Sequence, residues 1–238
     1  MTDLLDTIKA VWNDKDDEAY RQDQSHWRGV GRWANDAAWQ SIGALTLDRF
    51  KFLWRILERA PSAMRDLSVL EWGQGGGSNV FGLREVASQY QGVDISPKNL
   101  QEAGRMISAE GYTGLFKPVL LEGPPEEIAD KLLPIDMFLS TAVFQHFPSK
   151  DYGVQVLKTI RKACKPDAAG VIQIRFDNGN PTFSGIKSVE EYAERHIVAN
   201  SYAIDAFWDI LASCGFKPLA VDGIRTQNNY ATFYMTAK

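Results

Sequence analysis

The chain has 238 residues, 45% of them hydrophobic and 24% charged, with a formal net charge of -4 from 26 basic and 30 acidic residues. That length suits one α/β core, and the acidic balance offers no field for nucleic acid, so no nucleic-acid partner is expected. Cys164 and Cys214 are the only cysteines and lack the spacing of a metal site or a disulfide framework; reduced thiols in a cytoplasmic protein, with no metal, are the expectation.

The opening MTDLLDTIKAVWNDKDDEAY is acidic and mildly amphipathic, unlike a signal peptide. No apolar run approaches the roughly eighteen residues of a membrane span, so no membrane partner is expected. Residues 1–62 read as helices, with Leu45–Leu57 strongly amphipathic, and form an expected N-terminal helical cap whose exposed face offers a surface to a second copy of the chain. Residues 63–238 read as a second domain in which short strands alternate with helices. Val/Ile/Leu-rich runs predict strands at Leu67–Trp72, Gln91–Ile95, Lys117–Leu121, Ile135–Ser140 and Gly170–Phe176, as in a parallel sheet buried on both faces. Further strands are predicted at Lys217–Ile224 and Tyr230–Thr236. Ser96-Pro97 opens a helix as N-cap and first residue. Ser149 opens another, which Lys165-Pro166 stops, and a helix over Ile204–Cys214 ends at Gly215. The link Arg225–Asn229 is too short for a crossover, so the last two strands form an antiparallel hairpin. The fold class expected is α/β: a doubly wound, seven-strand, mostly parallel sheet with an antiparallel C-terminal strand, plus the helical cap.

The stretch Val69-Leu-Glu-Trp-Gly-Gln-Gly-Gly-Gly-Ser-Asn-Val80 joins the first strand to a helix beginning near Ser78. Its glycines let the backbone adopt strained angles and approach a ligand at the carboxyl end of the sheet. A dinucleotide fingerprint, G-x-G-x-x-G, fails because Ser78 stands at the third glycine. The pattern acid-x-Gly-x-Gly-x-Gly fits from Glu71 through Gly77. Here the sequence resembles the class I S-adenosylmethionine-dependent methyltransferases, and the resemblance covers most of residues 67–238. It implies S-adenosylmethionine as cofactor, with Glu71, Gly73, Gln74, Gly75, Asp94, Ile95, Glu122, Gly123 and Ser140 around it. Glu71 would fix the turn and the ammonium side, and Asp94, ending strand two, would accept the ribose hydroxyls. The family's acid for adenine falls at Pro124, so either Glu122 or backbone groups around Gly123 and Pro125 take that part.

In relatives the loop after strand four faces the substrate, and here it carries His146. Three roles are open to His146: general base, loop organiser, or hydrogen-bond partner of the acceptor. An unperturbed imidazole titrates near ~6.5. His26 is the second catalytic candidate; His196, in Glu190–His196, reads as the surface of a solvated helix. Trp27, Arg28 and Trp33 suit stacking on sugar rings and pairing with carboxylate or phosphate, and Arg175 and Asp177, after strand five, face the same end of the sheet. The function expected is O-methylation of a small-molecule or sugar hydroxyl, with a small molecule or glycan as substrate. The alternatives are N-methylation of a small amine, a nicotinamide oxidoreductase, or a cofactor-binding partner subunit without turnover.

Overall fold

The strands follow the apolar runs. In the computed structural model, which describes residues 2–14 and 16–238 (of residues 2–4, the backbone), β1 (Leu67–Trp72) and β4 (Ile135–Ser140) have the bounds read from sequence. The others are β2 (Ala87–Asp94), β3 (Phe116–Leu120), β5 (Cys164–Arg175), β6 (Phe216–Arg225) and β7 (Tyr230–Ala237). They form a seven-stranded sheet in the order β3-β2-β1-β4-β5-β7-β6, with β7 antiparallel to both neighbours. Helices α1 (Thr2–Trp12), α2 (Glu18–Gln24), α3 (Asp36–Ile56), α4 (Ser78–Leu83), α5 (Pro97–Ala109), α6 (Lys150–Ala163), α7 (Tyr192–Arg195) and α8 (Ile204–Ser213) complete the order. Among the described residues no helix is long and apolar enough to cross a membrane.

Three local expectations are corrected. β2 begins at Ala87 rather than Gln91, because its first residues are only partly covered and carry no apolar signal. Lys165-Pro166 does not stop α6: the helix ends at Ala163 and β5 starts at once, with the proline accommodated where the β4–β5 register shifts and Asp167 turns to φ 59°. Ser96 precedes Pro97 as expected but makes no side-chain cap bond, whereas Ser149 does cap α6, accepting from the Tyr152 N–H.

The chain divides into two compact units, Trp12–Glu122 and Met1–Val11 with Gly123–Lys238. In the first, β1–β3 are parallel, and α3 crosses α4 at glycines. A Cβ on Gly43 would collide with the Ser78 carbonyl and the Gly82 backbone, and one on Gly82 would collide with Gly43. Trp39, Phe50 and Leu53 of α3 are fully buried, so the cap helix is part of the core. In the second unit, Phe144, Tyr202, Phe207 and Phe233 form a chain of ring contacts, with Phe207 4.9 Å from both Tyr202 and Phe233. This cluster fixes the Phe144–His146 turn over β5.

Gly43→Ala is expected to lower the stability of the chain by about 1–3 kcal/mol through overpacking at the helix crossing, read from the midpoint of urea unfolding, with Ala44→Gly as a control for helix propensity alone.

Candidate functional site

The glycine turn is held by β2. The Gly73 and Gln74 N–H groups donate to the Val93 carbonyl at 2.8 and 3.3 Å, and Gly73, Gly75 and Gly77 all have positive φ. The Gly75 N–H donates to Asp94 Oδ2 at 2.9 Å. Asp94 Oδ1 accepts from the Ser96 N–H at 2.8 Å, and Asn99 Nδ2 lies 3.3 Å from it. Burial raises the Asp94 pKa against these hydrogen bonds. Asp94 is thus first an anchor of the turn. Ile95 follows it, half-buried. The Gln74 side chain is 4% exposed, and neither its Nε2 nor its Oε1 has a partner.

Glu71 braces β1 against α4 and β2. Its Oε1 accepts from Asn79 Nδ2 and its Oε2 from the Tyr90 hydroxyl, both at 2.6 Å, and Asn79 Oδ1 accepts from Thr46 at 2.7 Å. Burial pushes the Glu71 pKa up to about 8, against both hydrogen bonds.

The segment before α3 packs on the turn. The Gly76 N–H donates to the Ser25 carbonyl at 2.6 Å, and a Cβ on Gly75 would lie 2.5 Å from that oxygen. A Cβ on Gly76 would meet His26 and Trp27 at under 3 Å. Sequence reasoning assigned these glycines to a ligand; part of their need is this backbone approach. Trp27 donates from its indole to Asn99 Oδ1 at 2.8 Å, and Trp33 to the Asp23 carbonyl at 2.7 Å. Arg28 is not presented free: Asp36 and Glu110 both pair with it, and it lies over Trp39 and Phe81. His26 has φ 59°, its ring meets Trp33 edge-on at 4.5 Å, and burial, with Arg32, pushes its pKa down to about 4. Asn99, missed by the sequence reading, joins Asp94, Ser25 and Trp27.

In the other unit, Ser140 ends β4 fully buried, and Ala142 turns the chain at φ 58°. Glu127, not an expected residue, lies against the open side of Gly123, while Glu122, in the first unit, is exposed. His146 Nδ1 lies 2.8 Å from the His196 carbonyl, which can only accept, and the Ala142 carbonyl is a second acceptor to the ring. His146 Nε2 faces Gln145 Nε2 at 3.2 Å. Burial pushes the His146 pKa down to about 4, the His196 carbonyl opposing and Arg175 adding to the fall, well below the value expected of a free imidazole. Gln145 Nε2 also donates to the Tyr230 hydroxyl at 3.1 Å. That hydroxyl accepts from Arg175 Nη2 at 3.3 Å, and the guanidinium lies over the Phe183 and Tyr230 rings. Arg175 Nε and Gln145 Oε1 are buried without partners. Asp177 is exposed, its Oδ1 accepting from the Gly179 N–H within its own loop. His196 corrects the surface assignment: it is 5% exposed and packs on Tyr192, because the helix read there is a short turn folded onto the Phe144–His146 segment.

Residues 70–172 match the family model of a methyltransferase domain. No curated protein matches the sequence. Among solved structures, an S-adenosylmethionine-dependent methyltransferase from Methanosarcina mazei is similar at 15% identity and a TM-score of 0.58, over 73% of this chain and 93% of that one. The mitomycin 7-O-methyltransferase is similar at 15% identity and a TM-score of 0.53, over 72% of this chain and 49% of that one. A [4+2]-cyclase is similar at 11% identity and a TM-score of 0.55, over 79% and 80%. The fold is common to all three.

Burial raises the folded-state pKa of Glu71 from the ordinary carboxyl value of 4.5 to about 8, so its contribution is full below pH 4.5 and is lost as pH rises through about 8. Against Glu71→Gln, which keeps the shape, the bond from Asn79 and, with the Tyr90 hydroxyl turned to accept, the second contact, the wild-type chain should lose stability by about 1.4 kcal/mol per pH unit across that window. Urea unfolding of both proteins from pH 4.5 to 8.5 checks the slope; parallel curves would show that Glu71 is ionised throughout.

Proposed function

We propose that the chain is a class I S-adenosylmethionine-dependent methyltransferase that methylates a hydroxyl of a small molecule or sugar, with His146 as the general base; the match of residues 70–172 to a methyltransferase-domain model supports the reading. Bound S-adenosylmethionine supplies a methyl group on a sulfonium, already activated for displacement. The residues at the glycine turn fit that group: Gln74 offers an idle donor and an idle acceptor to a ligand that carries both ammonium and carboxylate, and Asp94, oriented by the Gly75 and Ser96 N–H groups, supports the reading of a ribose acceptor there. Ser140, Gly123, Glu122 and Ile95 are assigned to the same cofactor on the family resemblance.

The observation that carries the hydroxyl reading is the state of His146. A neutral ring oriented by the His196 carbonyl, with its other nitrogen 3.2 Å from the Gln145 amide, supports a proton-accepting role. A hydroxyl oxygen that has begun to take a methyl group becomes strongly acidic, so a weak base within reach suffices to remove its proton. The cluster around His146 contains Gln145, Tyr230 and Arg175, a set suited to hydroxyls and anions rather than to an ammonium. The match to a methyltransferase-domain model stands against the nicotinamide alternative. In the segment before α3, Arg28 is neutralised by Asp36 and Glu110, and the Trp33 ring is covered by Arg32 and met by His26.

S-adenosylhomocysteine at a hundred times its dissociation constant should stabilise the wild-type chain by about 2.7 kcal/mol in thermal unfolding, and NAD should not. His146→Gln should keep that shift and lose about 10²–10⁴-fold in turnover of a hydroxyl acceptor. Because the imidazole titrates at about 4, the acid limb of kcat/KM should lie near pH 4 rather than 6.5; unchanged turnover in His146→Gln would remove His146 as the base.

A further inference from the structure

Arg175 ends β5 with 6% of its surface exposed. A guanidinium keeps its charge at any ordinary pH, and a buried charge is costly unless a counter-charge and hydrogen bonds meet it. Here the protein supplies neither in full. No described carboxylate forms an ion pair with Arg175, and its one hydrogen bond runs to the Tyr230 hydroxyl at 3.3 Å. Nε is buried with no partner. Yet the group is held in place, with Phe183 4.6 Å and Tyr230 5.3 Å from the guanidinium carbon, and Tyr230 is itself the register partner of Arg175 across the β5–β7 pair. A rigid fork with idle donors is a site awaiting an anion.

A second orphan lies beside it. Gln145 Oε1 is buried without a donor. The Gln145 amide nitrogen donates to the Tyr230 hydroxyl at 3.1 Å and stands 3.2 Å from His146 Nε2. The cluster therefore lacks one anionic acceptor and one neutral donor. Only one cation is present in it, which matches a singly charged planar carboxylate better than a phosphate dianion.

We propose that the acceptor of this enzyme is a hydroxy acid, such as a sugar acid. Its carboxylate is held by the Arg175 fork, and a hydroxyl donates to Gln145 Oε1 next to His146. The identity of the methylated hydroxyl rests on the reading of His146 as base; the carboxylate site does not.

The test is binding, independent of turnover. The 238-residue chain, with and without S-adenosylhomocysteine, is titrated by ligand-observed NMR with glycolate, gluconate and glucuronate, with the neutral partners ethylene glycol and glucose, and with inorganic phosphate. The carboxylates should bind, at least tenfold more tightly than the neutral partners and than phosphate. Arg175→Met should lose at least tenfold in carboxylate affinity, while its thermal midpoint stays at or above that of the wild-type chain, because an uncompensated charge has been removed. Arg175→Lys, with a charge but no fork, should fall between the two. Equal binding of neutral partners, preference for phosphate, unaltered carboxylate binding in Arg175→Met, or a lowered midpoint in that variant would each overturn the proposal, the last by making Arg175 a structural residue. Failure of the base assignment has a different signature: hydroxy acids bind through Arg175, but methyl transfer goes to another atom or survives His146→Gln. Conversely, O-methylation of neutral sugars at the same rate in Arg175→Met would sink this inference and leave the proposed function standing.

Discussion

Asp94 ends β2 where little water reaches, and a carboxylate in such a place must be met by donors. The Gly75 and Ser96 N–H groups and the Asn99 amide meet it, and each of these fixes something else. Gly75 sets the glycine turn. Ser96 sets the entry to α5, which explains why its own hydroxyl is not needed as a cap. Asn99 passes the constraint to Ser25 and to the Trp27 indole, so the position of the segment before α3 follows from the same carboxylate. The Ser25 carbonyl then accepts from Gly76, closing the loop back on the turn. Remove the charge at 94 and turn, helix entry and overlying segment lose their common reference.

This circuit shows what the sequence could disclose. Glu71, the alternating glycines and Asp94 were legible because their spacing along the chain is their function: an acid, a bare turn and a second acid at the ends of adjacent strands. The bounds of β1 and β4 were legible because both are continuous apolar runs with abrupt polar ends. The approach of Ser25–Trp27 to Gly75 and Gly76 joins residues some fifty positions apart and leaves no local pattern, so the glycines were credited wholly to a ligand. His196 was misplaced for a related reason. Glu190, Glu191, Glu194 and Arg195 give the segment a solvated look, but the turn is folded so that His196 packs on Tyr192 and its carbonyl receives His146. Arg28 looked available for a substrate because its partners, Asp36 and Glu110, are separated from it by 8 and 82 positions.

Burial acts in opposite directions on the ionisable groups, and the sign distinguishes them. It pushes Glu71 up to about 8 and pulls His146 down to about 4, in each case favouring the neutral form. Glu71 has both oxygens engaged, which suits an interior brace. His146 has one nitrogen fixed by the His196 carbonyl, while the other faces Gln145. That asymmetry orients the ring from one side and sets its other nitrogen in the polar cluster with Gln145.

Arg175 is the exception to this neutralising tendency, since a guanidinium cannot escape its charge by losing a proton. The nearest acid along the chain, Asp177, is exposed and already accepts from the Gly179 N–H within its own turn, so the fold has an acid close in sequence that it does not turn inward. Where a buried pair exists to hold a fold together, both members are normally present. Where only the cation is present, and is nonetheless clamped between Phe183 and Tyr230, the missing member is more naturally a ligand than an omission. The position at the carboxyl end of a strand, in one cluster with Gln145 and His146, makes the same argument from topology. The stability given up at Arg175 is thereby the source of selectivity, because an acceptor without a carboxylate leaves that charge unmet.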